Sequence, residues 1–167
     1  MVNIVLVEPE IPQNAGNIVR TCAAIGANLY MVKPLGFILD DKHFKRAGMD
    51  YKDFANVKVV DSFKDILENN ENATFFYATT KAQKRYSDVT YPDNCFIVFG
   101  KESYGLSENI LKNNYDKCVR IPMDERARSL NLSNSVAIIA YEAMRQQEFS
   151  GLKEYGELTG RVENDNF

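Results

Sequence analysis

The chain has 167 residues, of which 45% are hydrophobic, and it carries a formal net charge of −3 at pH 7. This length suits one ordinary globular domain, and the acidic balance taken alone argues against a general nucleic-acid binder, because phosphate contacts need local positive charge. No apolar run approaches the roughly 20 residues that cross a bilayer, and the first residues lack the basic start of a signal peptide, so a cytoplasmic protein without membrane contact is predicted.

Six short runs rich in β-branched and aromatic residues predict strands, at residues 2–7, 29–32, 57–60, 74–78, 95–99 and 118–121. Helical patterns occupy residues 14–25, 62–67, 107–112 and 136–145. Alternation of helices with nearly all-apolar strands predicts an α/β fold, with a mainly parallel sheet and helices on both faces. We expect one domain over residues 1–150 and a polar, loosely held tail over residues 151–167.

Two helix ends carry local signals. Gly26 follows the first helical pattern and suits the left-handed conformation of a helix C-terminus. Ser62 and Asp65 have the spacing of a capping box at the start of the second pattern.

The cysteines do not predict a metal or redox site. Cys22, Cys95 and Cys118 are an odd number, stand among apolar neighbours and lack C-x-x-C spacing or a nearby histidine. We interpret them as buried thiols. The single histidine, His43, is the first candidate for a general base at neutral pH, but its basic neighbours also mark a solvated face.

The turn after the first strand, from Glu8 to Asn14, argues against a dinucleotide-binding site. It contains two prolines and two carboxylates where a dinucleotide-binding domain would have the G-x-G-x-x-G pattern. This composition disfavours a nicotinamide-dependent oxidoreductase. Gly100 and Gly105 are spaced like the glycines of a P-loop, but no Lys-Ser or Lys-Thr pair follows them.

A polar stripe follows on the first helix. Asn14, Asn17, Arg20 and Thr21 are predicted to share one face, with apolar residues at helical spacing on the other. Two amides, a hydroxyl and an arginine suit a site that grips a polar or anionic substrate. A helix cap plus a surface arginine is the simpler alternative.

The later glycines and the loop after the last strand are the other candidate site elements. The absence of a Cβ at Gly100 would let a bulky ligand lie against the backbone, and Gly105 permits a positive φ, although a plain strand-to-helix turn also explains both. Residues 121–135 combine a strand end with a run of hydroxyl and amide side chains before a helix, so backbone N–H groups should be free beside a pocket. Asn131 and Ser133 in this run could equally be simple helix caps.

Three segments, residues 12–20, 99–106 and 121–135, resemble in order the signatures of the SPOUT methyltransferases. The resemblance is strongest to the small single-domain branch that 2′-O-methylates the wobble nucleotide of tRNA. It implies a deep trefoil knot over about residues 75–145, a homodimer, S-adenosylmethionine as the cofactor, and the anticodon stem-loop of tRNA as the partner. Physical reasoning alone would disfavour a knot.

The resemblance also implies site residues. Cofactor-binding positions are Ala78, Thr79, Gly100, Ile121, Met123, Ser129, Leu130 and Ser133. The resemblance implies that Arg20 is the catalytic residue and that Asn14 and Glu102 orient its side chain. A guanidinium group gives up its proton only with difficulty, so we expect Arg20 to stabilise a developing alkoxide or clamp a phosphate rather than act as the base.

Substrate contacts are expected from a further set of residues, and no metal is expected. The set is Arg20, Lys45, Arg46, Arg128, Asn131 and Tyr141. Basic clusters at residues 42–46, 81–85 and 120–128 are the predicted phosphate contacts. Two alternatives stay open: a catalytically silent RNA-binding module with the same fold, and a methyltransferase for another RNA.

Overall fold

The computed structural model describes residues 1–39 and 56–158. In this part of the chain there are seven strands: β1 Asn3–Val7, β2 Asn28–Val32, β3 Asn56–Val60, β4 Phe75–Ala78, β5 Lys84–Arg85, β6 Phe96–Phe99 and β7 Cys118–Arg120. The α-helices are α1 Pro12–Ile25, α2 Phe63–Glu68, α3 Glu108–Asn113 and α4 Leu132–Gln146. A 3₁₀ turn at Tyr115–Lys117 precedes β7.

The strands form one sheet in the order β3-β2-β1-β6-β4-β7-β5, and every pairing in the described residues is parallel. The register places Leu6 of β1 between Met31 of β2 and Phe99 of β6. Although β6 follows β4 in the chain, it lies between β1 and β4 in the sheet. The carboxyl ends of β1, β6, β4 and β7 therefore meet along one edge, where α/β sheets commonly bind ligands.

Both faces of the sheet are covered, as predicted. Ile4 and Leu6 pack in the same core as Ile18 of α1 and Ile139 of α4. The intervening residue, Val5, packs on the opposite face, in a core that includes residues of α2 and α3. Strand side chains alternate between faces, so near-continuous apolar strands are what two covered faces require.

The predicted helix ends are largely confirmed. Ser62 and Asp65 form the capping box of α2 through reciprocal side-chain to backbone hydrogen bonds. Gly26 ends α1 in the left-handed region, with φ of 66°. Helix α4 begins at Leu132, earlier than the apolar pattern indicated, because Asn131 caps it.

The amino ends of three strands are joined by an asparagine ladder. Asn56 Nδ2 donates to Asn28 Oδ1, and Asn28 Nδ2 donates to Asn3 Oδ1, both at 2.7 Å. Asn3 is 2% exposed and donates in turn to Asn94 Oδ1 and the Cys95 carbonyl. The ladder satisfies a buried amide that would otherwise be destabilising.

The three cysteines are buried and free, as expected. Burial raises the pKa of the Cys22 thiol to about 12 and that of Cys95 to about 11, so both are protonated at neutral pH. Such thiols are poor nucleophiles and metal ligands.

The sequence patterns did not predict strand β5. It has only two residues, both exposed and charged, so no apolar pattern marks it.

The trefoil knot over residues 75–145 stays a prediction. Of the predicted tail, Leu152 packs against the core, residues 153–158 are exposed, and the last nine residues lie outside the described part. Within residues 1–39 and 56–158 no helix is long and apolar enough to cross a membrane.

Candidate active site at the carboxyl edge of the sheet

A pocket of about 670 Å³ opens where β4, β6 and β7 end. Buried apolar side chains line its inner part, namely Phe99, Leu106, Val119 and Ile139. Its rim is formed by three loops: residues 79–81 after β4, 100–105 after β6 and 121–131 after β7. Its size lies within the range of roughly 300–1,000 Å³ that holds small-molecule ligands.

Glu102 fastens the loop after β6 to the start of α1. Its carboxylate accepts hydrogen bonds from the backbone N–H of Glu10 at 2.8 Å and of Ile11 at 3.3 Å. It also accepts from Asn14 Nδ2 at 2.9 Å. The N-cap residue of α1, Ile11, has no side-chain acceptor, so Glu102 supplies from a distant loop the anionic cap that a helix N-terminus favours.

Asn14 continues this connection to the loop after β7. It is only 5% exposed, and its Oδ1 accepts from Asn131 Nδ2 at 2.9 Å. Asn131 Oδ1 accepts from the backbone N–H and the hydroxyl of Ser133 and from the N–H of Asn134. Glu102, Asn14 and Asn131 therefore form a relay that joins two rim loops through α1. Asn131 is a helix cap and a pocket residue at once.

The two carboxylates of the turn after β1, those of Glu8 and Glu10, also hold the loop after β6 against the start of α1. Lys101 Nζ donates to Glu8 Oε2 at 2.8 Å, and this hydrogen bond raises the pKa of Lys101. The backbone N–H and hydroxyl of Ser103 donate to the Glu10 carboxylate at 3.0 and 2.8 Å. Acidic side chains in this turn thus bind the neighbouring loop, a role that the sequence did not indicate.

Gly100 and Gly105 have the turn role that was the alternative prediction. A Cβ on Gly100 would lie 2.0 Å from the Gly105 carbonyl carbon and 2.2 Å from the Leu106 nitrogen. The expectation that Gly100 leaves room for a ligand is therefore wrong for that side of the residue, because the loop itself fills the space. Gly105 has φ of 72°, as predicted, and its N–H donates to the Lys101 carbonyl.

The loop after β7 leaves backbone donors free, as its composition predicted. The N–H groups of Met123, Ser129 and Leu130 make no hydrogen bond within the described residues, and all three residues line the pocket. Such groups are suited to hold the polar parts of a ligand.

Arg128 differs from the other basic residues near the pocket. Arg126 pairs with Asp124, Lys81 with Glu108, and Lys101 with Glu8. Arg128 is exposed, lines the pocket and forms no ion pair with any residue in the described ranges. It is thus available to an anionic ligand.

Most of the predicted site residues are brought together. Asn14, Glu102, Arg128 and Asn131 line the pocket, as do seven of the eight predicted cofactor positions: Ala78, Thr79, Gly100, Ile121, Met123, Ser129 and Leu130. Ser133 is buried behind its hydrogen bonds to Asn131 and does not line the pocket.

Arg20 and Tyr141 lie elsewhere. Arg20 is on an exposed part of α1, six residues and about 120° around the helix from buried Asn14, so the predicted polar stripe does not stay on one face. Tyr141 is 45% exposed on α4, while the pocket-lining residues of that helix are Leu132, Ser135 and Ile139. Lys45, Arg46 and His43 fall outside the described residues.

The residues missed by the sequence interpretation are the loop partners Glu8, Glu10, Lys101 and Ser103. Their contacts join positions 93 apart in the chain, and no local pattern encodes such pairs. No group of three or more histidine, cysteine, aspartate or glutamate side chains within residues 1–39 and 56–158 is arranged to hold a metal ion.

Residues 1–141 match the SpoU rRNA Methylase family. The chain belongs to this family. The tRNA (cytidine(34)-2′-O)-methyltransferase of Photorhabdus asymbiotica is 46% identical over 157 residues, which cover 90% of this chain and 97% of that protein.

Two solved structures share the fold. One, from work on the 2-OH methylation of C/U34 on tRNA, superposes with a TM-score of 0.85 at 40% identity, covering 89% of this chain and 97% of that one. AviRb of Streptomyces viridochromogenes in complex with AdoMet gives a TM-score of 0.79 at 25% identity, covering 87% and 60% of the two chains. This SpoU family member thus has the α/β fold of the SPOUT class that its sequence predicted.

Proposed function

We propose that the chain uses S-adenosylmethionine to methylate the ribose 2′-hydroxyl of the wobble nucleotide of tRNA, a cytidine or modified uridine. The observation that carries this proposal is the 46% identity to a tRNA (cytidine(34)-2′-O)-methyltransferase across 90% of the chain. The pocket at the carboxyl edge of the sheet supports it, because seven of the eight residues that resemble the family's cofactor positions line that pocket.

The pocket residues fit this cofactor. Buried apolar side chains such as Phe99 and Ile139 suit an aromatic base, and the free N–H groups of the loop after β7 suit polar acceptors. When bound, S-adenosylmethionine supplies an electrophilic methyl group. The chain's own tasks are to align the ribose hydroxyl in line with that methyl group and to stabilise the charge that develops as the hydroxyl loses its proton.

We assign the charge stabilisation to Arg20, acting on the developing alkoxide or an adjacent phosphate. Arginine keeps its proton at neutral pH, so it is a poor general base. Asn14 and Glu102 contribute by fixing α1 to the rim loops.

A homodimer accounts for the distance of Arg20 and Tyr141 from the pocket. Both are exposed, and neither lines the pocket of its own chain. In a symmetric dimer an exposed residue of one protomer can complete the site of the other. We therefore infer that each active site draws on both chains.

The decisive experiment is transfer of tritiated methyl groups from S-adenosylmethionine to tRNA that lacks the wobble modification, followed by mapping of the labelled nucleotide. We expect one ribose methylation at the wobble position. Calorimetric titration should show binding of S-adenosylmethionine and not of NAD. Binding of tRNA without any methyl transfer would overturn the proposal and favour a silent RNA-binding module, while label at another position would indicate a different substrate.

Arg20→Ala tests the catalytic assignment. Loss of a charge contact made in the transition state should lower the rate about 100-fold or more, with the affinity for S-adenosylmethionine nearly unchanged. Lys64→Ala, an exposed cation on α2, is the control and should keep full activity. An active Arg20→Ala enzyme would remove Arg20 from the mechanism.

Co-production of Arg20→Ala chains with pocket-defective Leu130→Glu chains tests the shared site, because Leu130 lines the pocket from an exposed position where a substitution should not disturb folding. Mixed dimers should regain activity, because one of their two sites combines an intact pocket with an intact Arg20. A monomeric protein by light scattering, or an inactive mixture, would contradict a site built from two chains.

A further inference from the structure

Tyr104 is the most exposed aromatic side chain on the pocket rim. It is 85% exposed, yet it lines the pocket, and its side chain makes no hydrogen bond or ring contact within the described residues. The predicted site residues do not include it, and its side chain takes part neither in the relay nor in the hydrogen bonds of Glu8 and Glu10. A ligand that covers this solvent-exposed ring would gain binding free energy, because removing aromatic surface from water is favourable.

The loop presents this ring rigidly. Ser103, its neighbour, is held by two hydrogen bonds to Glu10, and Glu102 by three donors around the start of α1. The Gly105 N–H donates to the Lys101 carbonyl, which closes the loop. The tyrosine side chain itself has only two rotatable angles, so ordering it against a ligand costs little entropy.

The chemistry of the rim favours a nucleic-acid base as the occupant. Arg128, which forms no ion pair in the described ranges, lines the same pocket and can contact a phosphate. When one ribose is held at the pocket for methylation, the adjoining nucleotides must continue over its rim. In a single-stranded loop their bases are free to stack on exposed aromatic side chains.

We propose that Tyr104 is a platform on which a base adjoining the methylated nucleotide stacks. This inference rests on the proposed function and adds to it how the RNA is held at the pocket. The hydroxyl is not needed for stacking, so phenylalanine should replace tyrosine.

The first test compares three variants by steady-state kinetics with unmodified tRNA. Tyr104→Ala should raise the KM for tRNA about 5- to 100-fold, the range expected from the loss of one stacked base. Tyr104→Phe should remain within about 3-fold of the parent enzyme, since the aromatic face is retained. Tyr155→Ala removes a ring that is 83% exposed outside the pocket and should change nothing.

The second test detects the stacked base directly. Two tRNAs carry 2-aminopurine on one side or the other of the wobble nucleotide, and its fluorescence falls when it stacks. One of the two should be quenched on binding the parent enzyme and Tyr104→Phe, and not on binding Tyr104→Ala. A folding defect cannot produce this pattern if Tyr104→Ala keeps the parental affinity for S-adenosylmethionine.

The outcomes separate this inference from the proposed function. If the parent enzyme methylates tRNA but Tyr104→Ala has parental KM and quenching, the platform is wrong and the function stands. If Tyr104→Ala loses affinity for S-adenosylmethionine alone, the ring contacts the cofactor and the inference is overturned. If the parent enzyme does not methylate tRNA, the proposed function fails first.

Discussion

Asn131 combines two roles in one amide group. Its Oδ1 caps α4, and its Nδ2 donates to Asn14 and so connects the loop after β7 to α1. The two halves of the amide can be separated by substitution. A serine keeps an oxygen acceptor for the helix start but is too short to continue the relay.

Asn131→Ala should therefore lower the free energy of unfolding by about 1 kcal/mol relative to Asn131→Ser, which keeps the cap. Both variants should lose methyl-transfer activity to a similar extent, because both break the link to Asn14. Urea unfolding and the tritium assay measure the two effects. Equal stability of the variants would show that the cap contributes nothing, and full activity of Asn131→Ser would show that the relay is dispensable.

At the scale of elements, the asparagine ladder fixes the amino ends of β1, β2 and β3 relative to one another. Its members occupy matching register positions, Asn3 opposite Asn28 and Asn28 opposite Asn56. Asn28 is the central member and accepts on one side while donating on the other. Substitution of Asn28, at the centre of the ladder, should therefore lower the free energy of unfolding more than substitution of Asn56 at its end.

Asn28→Ala should lower the free energy of unfolding by about 1–3 kcal/mol, because the buried Oδ1 of Asn3 loses its donor. Asn56→Ala removes the exposed end of the ladder and should cost no more than about 0.5 kcal/mol. Chemical denaturation of both variants measures the difference. Equal losses would mean that the ladder does not act through the buried amide.

The elements that the sequence predicted are those whose signal is local. Apolar runs indicated six strands, and the spacing of Ser62 and Asp65 indicated the cap of α2. Strand β5 was not predicted because its two residues are charged and exposed. They form a strand only through their pairing with β7.

The candidate site was predictable only in part, for the same reason. The resemblance placed Asn14, Glu102 and Asn131 near one another, but their hydrogen bonds span 88 and 117 positions and follow from the fold. The need for glycine at position 100 was attributed to a ligand. It comes instead from the backbone of Gly105 and Leu106, which folds back against Gly100.

For the whole molecule, ion pairs on the surface determine how the free energy of unfolding changes as the pH falls. Hydrogen bonds from basic neighbours lower the pKa of five carboxyl groups in the described residues, namely Asp61, Asp88, Glu108, Asp124 and Glu142. A depressed pKa in the folded state stabilises the protein above the unfolded value of about 4, and this stabilisation is lost as the pH falls through the folded value. Stability should thus be level from pH 7 to about 5 and decline below about 4.

Glu142→Gln should reveal the largest single contribution. The Glu142 side chain is 12% exposed where it pairs with Arg145, whereas that of Asp124 is 57% exposed where it pairs with Arg126. Glu142→Gln should lower the Tm at pH 7 and have little effect at pH 3, and Asp124→Asn should change the Tm at neither pH. Equal losses at both pH values for Glu142→Gln would show that its charge is not what stabilises.

The distribution of paired and unpaired cations also predicts how the molecule binds RNA. Arg128 has no ion-pair partner in the described ranges, whereas Arg126 is bound to Asp124. Arg128→Ala should reduce the slope of log affinity for tRNA against log salt by about 0.7, the value for one phosphate contact in a single-stranded region. Arg126→Ala should leave the slope unchanged. Filter binding at several salt concentrations measures both, and a larger effect at Arg126 would contradict this assignment.

The strand order also governs when the pocket can form as the chain is synthesised. Its lining extends from Ile11 to Ile139, and β6, which separates β1 from β4, is made after both of them. A nascent chain that ends before α4 can already contain all seven strands of the described residues, but it lacks the part of the pocket lining that α4 supplies. Copies that end before Ile139 should therefore lack a complete pocket, and cofactor binding would report that synthesis has passed α4.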